Sequence, residues 1–292
     1  MSFLKKLRNF SNKVLPPSFF KIVRFNYFKI KRLSIRPISK EEFKTLLVER
    51  MKIEEGATVF IHSSLGHLKL RFSVGEIIKI IREIIGENGN ILFPTTHFNE
   101  KAESYLRKGG SFDVRKSHAI FGLLPELARR DKNAKRSLHP TNSVVAIGPD
   151  AEFLLNEQHL SVYPLGEKSP YYKMLKLNSI IIGLGVSSDY LSFTHCPEDV
   201  CPDRFSSIKP RLDEIFSVKV KGYNNEEILV KTLVASPSIK NRDVPKYIKK
   251  NIPKEIGEDF KYRGASFFYF KAKPLFERMI ELAGKEVTIY NP

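Results

Sequence analysis

The chain has 292 residues, 42% of them hydrophobic and 28% charged, which excludes a largely disordered protein because the apolar surface suffices for a core. Two cysteines, Cys196 and Cys201, exclude a disulfide framework, and no apolar run is long enough to span a bilayer. The first residues, MSFLKKLRNF, lack the apolar core of a secretory signal. We therefore expect a cytoplasmic protein.

The formal net charge of +17 is concentrated at the start of the chain. Residues 1–40 contain eleven Lys or Arg, seven aromatic residues and no acidic residue. The interleaved rings and cations of residues 1–37 predict a segment that binds an anionic membrane surface, at the inner face of the membrane. A second interpretation is that the rings pack on the body of the protein or on the other subunit of a homodimer. We expect no nucleic-acid binding, because no helix-turn-helix, zinc-finger or RNA-recognition motif follows.

From Ile38 onward, short apolar runs alternate with helical patterns, which predicts a single α/β domain over residues 38–292. Ser39, with Glu42 three residues later, has the spacing of a capping box and predicts the first helix. In chain order, the predicted elements are helix 40–52, strand Thr58–His62, helix Val74–Ile85 ending at Gly86, strand Ile91–Pro94, helix His118–Arg130, strands Val144–Ile147 and Ile180–Leu184, a β-rich excursion at 203–235, and helix Ala272–Leu282. Together they predict a three-layer α/β/α sandwich around a mixed, largely parallel central sheet.

Four clusters of the domain contain polar side chains suited to chemistry. They are IHSSL at 61–65, SHAIFGLLPELARR at 117–130, RSLHPTNSV at 136–144, and GLGVSSDYLSFTHCPED at 183–199. In this order and spacing they resemble the aminoglycoside 3-N-acetyltransferase family, over residues 39–199 and more weakly in RDVPKY and GASFFYF near the C-terminus. The resemblance implies an enzyme that transfers an acetyl group from acetyl-CoA to an amine, without a metal.

The first three clusters contain the candidates for coenzyme binding. In IHSSL a predicted strand ends in two hydroxyl residues, which can face a phosphate or a pantetheine chain, although a simple turn would also explain them. Ser117 has the spacing of an N-cap, and a helix N-terminus attracts a pyrophosphate, although capping alone would also explain the serine. Arg136 and His139 flank a turn, where a guanidinium could bind a phosphate bidentately. With the segments that the resemblance implies, the candidates are His62, Ser63, Ser64, Leu65, Ser117, Gly122, Arg136, Ser137 and His139. Many relatives have a second histidine at the position of Asn142, which weakens the case for a histidine relay there.

The fourth cluster contains the candidate catalytic residues. His195 and Glu198 are three residues apart, so they share a face of a helical turn, where the carboxylate would orient the ring and stabilise its protonated form. The resemblance implies that His195 is the general base that deprotonates the amine. Pro197 fits only a first helical turn, so a helix that begins there could separate the two side chains. Asp243, in RDVPKY, is the alternative carboxylate, unless it forms a surface pair with Arg242.

Other chemistries are weakly indicated in the same region. Cys196, Cys201 and His195 lack a fourth metal ligand, so no metal is expected, and direct transfer needs no cysteine nucleophile. The GLG at 183–185 lacks the third glycine of a dinucleotide site. Neither a Walker A sequence nor a G-x-S-x-G motif occurs.

The sequence therefore predicts an N-acetyltransferase whose acceptor is the amine of an amino sugar. The basic segment 1–37 favours an amino sugar of surface polysaccharide or glycoconjugate assembly, on a nucleotide or lipid carrier. One alternative is an aminoglycoside 3-N-acetyltransferase that confers resistance. Another is a non-catalytic protein of the same fold that binds a membrane surface or a nucleic acid.

Overall fold

The computed structural model describes residues 33–237, 239 and 242–292. Most of the segment 1–37, with its predicted membrane contact, lies outside the described residues. Among the described residues, no helix is both long enough and apolar enough to cross a membrane.

Within the described residues, ten strands form two sheets. They are β1 (Thr58–Ser63), β2 (Asn90–Pro94), β3 (Phe112–Asp113), β4 (Lys135–Arg136), β5 (Val144–Ile147), β6 (Ser179–Leu184), β7 (Phe216–Lys221), β8 (Glu227–Thr232), β9 (Gly257–Tyr262) and β10 (Ala265–Lys271). Seven strands form a mixed sheet in the order β4-β5-β2-β1-β6-β10-β9, whereas β3, β7 and β8 form a smaller sheet. The 203–235 segment therefore contributes β7 and β8 to the smaller sheet.

The main sheet is mixed, as predicted, but it is not largely parallel. β1 pairs in parallel with β2 and β6, whereas the four outer pairings are antiparallel. One cause is the connection between β9 and β10, which turns at Arg263 (φ 49°) and Gly264 (φ 83°). Positive φ at two successive residues is the backbone of a two-residue hairpin, and a hairpin joins antiparallel strands.

Nine helices accompany the strands in the described part of the chain. They are α1 (Lys40–Thr45, continued by a π-helical turn at Leu46–Arg50), α2 (Val74–Ile85), α3 (Ala102–Arg107), α4 (Leu123–Arg129), α5 (Ala151–Leu155), α6 (Pro170–Lys173), α7 (Cys196–Val200), α8 (Val244–Asn251) and α9 (Ala272–Ala283). The capping box predicted before α1 is present: Ser39 Oγ accepts from the Glu42 N–H at 3.2 Å, and the Glu42 carboxylate accepts from the Ser39 N–H at 2.9 Å.

The predicted helix His118–Arg130 begins later than expected, as α4 at Leu123. Gly122 has φ 110°, a left-handed conformation that a helix does not accommodate. The residues before it form a loop, which is attached to the end of β2 by a hydrogen bond of 2.9 Å from the Ile120 N–H to the Thr96 carbonyl. The sequence pattern concealed this loop because its apolar residues continue the helical spacing.

Two apolar cores lie on opposite faces of the main sheet, since successive strand side chains point to opposite sides. Val59 and Ile61 of β1 pack in one core with α1, α2 and α4. Phe60 of β1 packs in the other core with α5, α6, α8 and α9. The three parallel strands β2, β1 and β6 are thus covered on both faces, and polar side chains that follow them collect at their C-terminal ends.

Candidate active site

The C-terminal ends of β1 and β6 bring the first and fourth sequence clusters together. The strands are parallel neighbours, with His62 beside Gly183 and Ser63 beside Leu184. Gly185 follows with φ 76°, and a Cβ there would lie 2.5 Å from the Ser64 carbonyl oxygen. A glycine is therefore required for the two loops to approach so closely.

His195 lies directly before α7, at the end of a 3-10 turn formed by Ser192–His195. Its Nδ1 is 2.9 Å from Oε2 of Glu198, and the other oxygen of Glu198 accepts from the Tyr290 hydroxyl at 2.9 Å. Pro197 occupies the first turn of α7, where its missing N–H costs no helical hydrogen bond. It therefore does not prevent the pairing of His195 with Glu198.

Glu198 is 2% exposed, and its charge is stabilised by its neighbours. Burial would raise the pKa of Glu198, but His195, Arg211 and the Tyr290 hydroxyl together outweigh burial and lower the pKa. Burial and the Glu198 charge raise the pKa of Tyr290, so this residue remains a hydroxyl donor. An ionised Glu198 orients the His195 ring by accepting a hydrogen bond from its Nδ1–H. In this tautomer the free lone pair of the ring is on Nε2.

Arg242 contacts that second ring nitrogen. Its Nη1 is 2.7 Å from Nε2 of His195. Because a guanidinium only donates hydrogen bonds, Nε2 is the acceptor here, in agreement with the tautomer that Glu198 favours. From the RDVPKY motif it is thus Arg242 that reaches the ring, whereas Asp243 caps α8 by accepting from the Lys246 N–H at 3.2 Å. Asp243, the alternative to Glu198 in the sequence prediction, therefore caps α8, and Glu198 is the carboxylate that pairs with His195.

A second carboxylate of α7, that of Asp199, attaches the helix to two other segments of the chain. Asp199 accepts from Nε and Nη2 of Arg211 at 2.6 and 2.7 Å, and from the Leu165 N–H at 2.8 Å. Burial would lower the pKa of Arg211, but Asp199 outweighs it and raises the pKa. Neither Arg211 nor Tyr290 was found from the sequence, because each comes from a segment without a local motif.

Arg136 lies in the interior, where its guanidinium connects several segments of the chain by hydrogen bonds. It is 4% exposed, and its guanidinium donates to the carbonyl oxygens of Thr95 and Ser117 and to the hydroxyls of Thr95 and Ser143. It also lies over the Phe112 ring, 4.6 Å from the centroid, and burial lowers its pKa to about 9. Because its donors are committed to these groups, the geometry does not support the predicted phosphate contact.

Two further coenzyme candidates have structural partners. Ser117 does not cap a helix: its Oγ accepts from the Asp113 N–H at 3.0 Å, because α4 begins five residues later than predicted. Gly122 occupies the N-cap position of α4 instead. Ser137 is buried, and its hydroxyl accepts from the Val144 N–H at 3.0 Å.

His139 is a buried candidate that has a polar atom without a partner. Its Nδ1 accepts from the Asn142 N–H at 3.2 Å, so Nε2 carries the proton, and no bond satisfies Nε2 within the described structure. Burial, with Arg211 and His159, lowers the pKa of His139 to about 3. Nearby, Gln158 donates to the Asn142 carbonyl at 3.0 Å, while its own side-chain oxygen lacks a partner. Both side chains are 0% exposed, so neither of the two unpartnered atoms faces the surface of the protein.

The β1 end presents its hydroxyl residues differently from its histidine. His62 is 6% exposed, its ring lies between Phe60 and Phe268, and burial lowers its pKa to about 3. Ser63, Ser64 and Leu65 are partly exposed at the sheet edge. Ser63, Ser64 and Leu65 can face a ligand, whereas His62 packs in the interior.

The cysteines and acidic groups suggest neither a nucleophile nor a metal site. Burial, with neighbouring Asp199, raises the pKa of Cys196 well above its usual range, which keeps the thiol protonated. Among the described residues, no group of three or more His, Cys, Asp or Glu side chains could hold a metal ion.

Comparison with known proteins finds similarity to one family of enzymes. A family model described as aminoglycoside 3-N-acetyltransferase matches residues 60–283. An aminoglycoside N(3)-acetyltransferase III from Salmonella sp is 25% identical over 169 residues, covering 53% of this chain and 59% of the relative. The aminoglycoside N(3')-acetyltransferase-like protein YokD of Bacillus subtilis is 26% identical over 168 residues, covering 52% and 61%. The matched segment thus spans about three-fifths of these relatives.

Solved structures share the fold over almost the whole described domain. Aminoglycoside acetyltransferase AAC(3)-Xa superposes with a TM-score of 0.70 at 19% identity, covering 91% of this chain and 99% of that one. AAC-IIIb, in a binary complex with CoASH, gives 0.70 at 17% identity and covers 88% and 100%. At these identities the likeness concerns the fold.

Proposed function

Because the chain belongs to the aminoglycoside 3-N-acetyltransferase family, we propose that it transfers an acetyl group from acetyl-CoA to an amine, with His195 as the general base. The observation that carries this proposal is the hydrogen-bonded series Tyr290, Glu198, His195, which involves the start of α7 in the segment that follows β6. It contains a base, a charged group that orients the base, and a hydroxyl that holds the charged group in place.

Acetyl-CoA supplies an activated thioester carbonyl to this reaction. The enzyme must supply an unprotonated amine, because an ammonium group has no lone pair with which to attack. His195 accepts the amine proton on Nε2, and Glu198 stabilises the imidazolium that results. General base catalysis of this kind contributes about 10²–10⁴ in rate, and no covalent bond to the protein is needed.

Ser63 and Ser64, which are partly exposed at the C-terminal end of β1, support coenzyme binding there. A pantetheine arm offers amide carbonyls and N–H groups, which match serine hydroxyls. Arg136 is not part of this set, because its guanidinium is engaged in the interior.

Replacement of His195 by Ala tests the proposal. We expect thiol release from acetyl-CoA, in the presence of an accepted amine, to fall by about 10²–10⁴. The rise in melting temperature that coenzyme A produces should persist, because the coenzyme candidates lie on other segments. Full turnover in H195A would remove His195 as the base, and a melting temperature that coenzyme A leaves unchanged in the wild type would favour a non-catalytic protein.

The acceptor can be proposed from two directions. Relatives are named aminoglycoside acetyltransferases, and some solved structures contain a gentamicin or sisomicin, which favours an aminoglycoside and a role in resistance. The basic, aromatic residues 1–37 favour an amino sugar of surface polysaccharide or glycoconjugate assembly, on a nucleotide or lipid carrier. A screen of aminoglycosides, free amino sugars and nucleotide-linked amino sugars for thiol release separates the two.

We propose that the enzyme is cytoplasmic and that residues 1–37 attach it to the anionic inner face of the cell membrane. Deletion of residues 1–32, which keeps the buried Ile35, should lower binding to anionic liposomes without slowing the turnover of a soluble acceptor. Equal liposome binding by both forms would contradict this role. A shift from dimer to monomer on deletion would instead support packing of the segment on a second subunit.

A further inference from the structure

Arg242 occupies the nitrogen that the reaction requires. The proposed base must accept the amine proton on Nε2 of His195, yet Arg242 Nη1 already donates to that atom at 2.7 Å. One ring lone pair cannot accept both protons. The guanidinium therefore has to leave Nε2 before an amine can be deprotonated.

Three carboxylates near the base, Glu198, Asp199 and Asp259, are engaged within the protein. Glu198 bonds to His195 and Tyr290, and Asp199 to Arg211 and the Leu165 N–H. Asp259, beyond the 3-10 turns, accepts from both the N–H and the hydroxyl of Ser188, the N–H at 2.7 Å. These oxygens are committed to stabilising the fold, so they are poorly suited to binding the ammonium groups of a polycationic acceptor.

The side chain that contacts Nε2 of His195, where the amine proton is accepted, is a cation. Arg242 is exposed, and a displaced guanidinium pairs best with a phosphate or carboxylate, to which it donates two parallel hydrogen bonds. The coenzyme is not a suitable source of that anion, because its long pantetheine arm separates the thioester from the phosphates. The anion must therefore belong to the acceptor.

We propose that Arg242 binds an anionic group of the acceptor, so that the substrate is an amine that also carries a phosphate, such as a phosphorylated or nucleotide- or lipid-diphosphate-linked amino sugar. The proposal rests on the proposed acetyl transfer and specifies its substrate class. An acceptor with a phosphate draws Arg242 away from Nε2 and thereby exposes the base. An acceptor without an anion has to compete with Arg242 for the base.

The test compares acceptors and variants by kcat/KM for thiol release from acetyl-CoA. The acceptors are glucosamine, glucosamine 1-phosphate, UDP-glucosamine, glucosamine on a short polyprenyl diphosphate, and gentamicin. The variants are R242A, R242K and, as a matched control, R50A, whose arginine pairs with Glu258 away from the base. The nucleotide and polyprenyl compounds distinguish the two carriers.

In the wild type, we expect phosphorylated acceptors to be preferred over glucosamine and gentamicin. R242A should lower the ratio of kcat/KM for the phosphorylated to the free amine by about tenfold to hundredfold, the range of a charge-assisted hydrogen bond. R242K should restore part of the ratio because it keeps the charge but not the fork. R50A should keep the wild-type ratio.

Two results would overturn the proposal. One is an equal preference for phosphorylated and free amines in the wild type. The other is an equal loss for every acceptor in R242A, which would assign Arg242 to the reacting carbonyl oxygen. Melting temperatures with glucosamine 1-phosphate and coenzyme A separate this proposal from the proposed function. Stabilisation that depends on Arg242 but without thiol release from any amine would refute the acetyl transfer and retain the phosphate site.

Discussion

Replacement of Glu198 by Gln isolates the charge behind the proposed base. Gln keeps the size of Glu198 and can still accept from Tyr290, so the buried pocket remains filled. It loses the negative charge that faces Nδ1 of His195 at 2.9 Å. The amide NH2 group then faces Nδ1, so the Nδ1–H loses its acceptor and the imidazolium formed during the reaction lacks its counter-charge.

The size of the effect follows from this one contact. A hydrogen bond to a charged group contributes about 1.5–3 kcal/mol, and about 1.4 kcal/mol corresponds to a factor of ten in rate. We therefore expect kcat to fall by about tenfold to hundredfold, with a smaller change in KM because the acceptor does not bind Glu198.

Steady-state thiol release, measured over a range of pH, provides the assay. Glu167→Gln is the matched control, since it removes an exposed carboxylate from the same part of the chain. The melting temperature with and without coenzyme A checks that E198Q is folded. A folded E198Q with kcat within about twofold of the wild type would refute the supporting role of Glu198.

Two further predictions concern residues with a structural role. Arg136→Leu should lower the free energy of unfolding by about 2–4 kcal/mol, because it leaves buried carbonyls and hydroxyls without a donor, as urea unfolding would measure. An unchanged stability with weaker coenzyme binding would return Arg136 to the phosphate site. The pKa of His139 is about 3 when folded and 6.5 in the unfolded reference, so the unfolded chain binds the proton first and stability falls as the pH drops from 6.5 towards 3. His139→Asn should reduce that slope by about 1.4 kcal/mol per pH unit, and an unchanged slope would contradict the buried neutral ring.

The sequence predicted those elements whose conformation depends on residues close together in the chain. α2 has the predicted bounds because isoleucines at helical spacing are followed by Gly86, whose φ of 66° ends the helix. The pairing of His195 with Glu198 follows from a three-residue spacing on one turn. Both depend on residues only a few positions apart, so the sequence suffices.

The errors arose where distant segments decide the conformation. The 117–122 segment has helical spacing, but Arg136 binds the Ser117 carbonyl and Thr96 binds the Ile120 N–H, which together favour a loop. For the same reason Arg136 looked like a phosphate ligand: a guanidinium beside a turn is typical of an anion site unless the interior already uses its donors. The acceptors of the Arg136 donors are Thr95 directly after β2, Ser143 directly before β5, and Ser117 in the loop before α4.

The contact of Arg242 with His195 could not be predicted from the RDVPKY motif, because the acidic residue of that motif, Asp243, was the one considered as a partner of the ring. The family resemblance implies an acidic residue from the later part of the chain near the base, which made Asp243 the alternative to Glu198, yet Asp243 is the N-cap residue of α8, a position that favours an acidic side chain. Arg242, directly before it, meets a ring that lies 47 positions earlier in the chain. Because Asp243 serves as the cap of α8, the residue of this motif that contacts the proposed base is a cation rather than an anion.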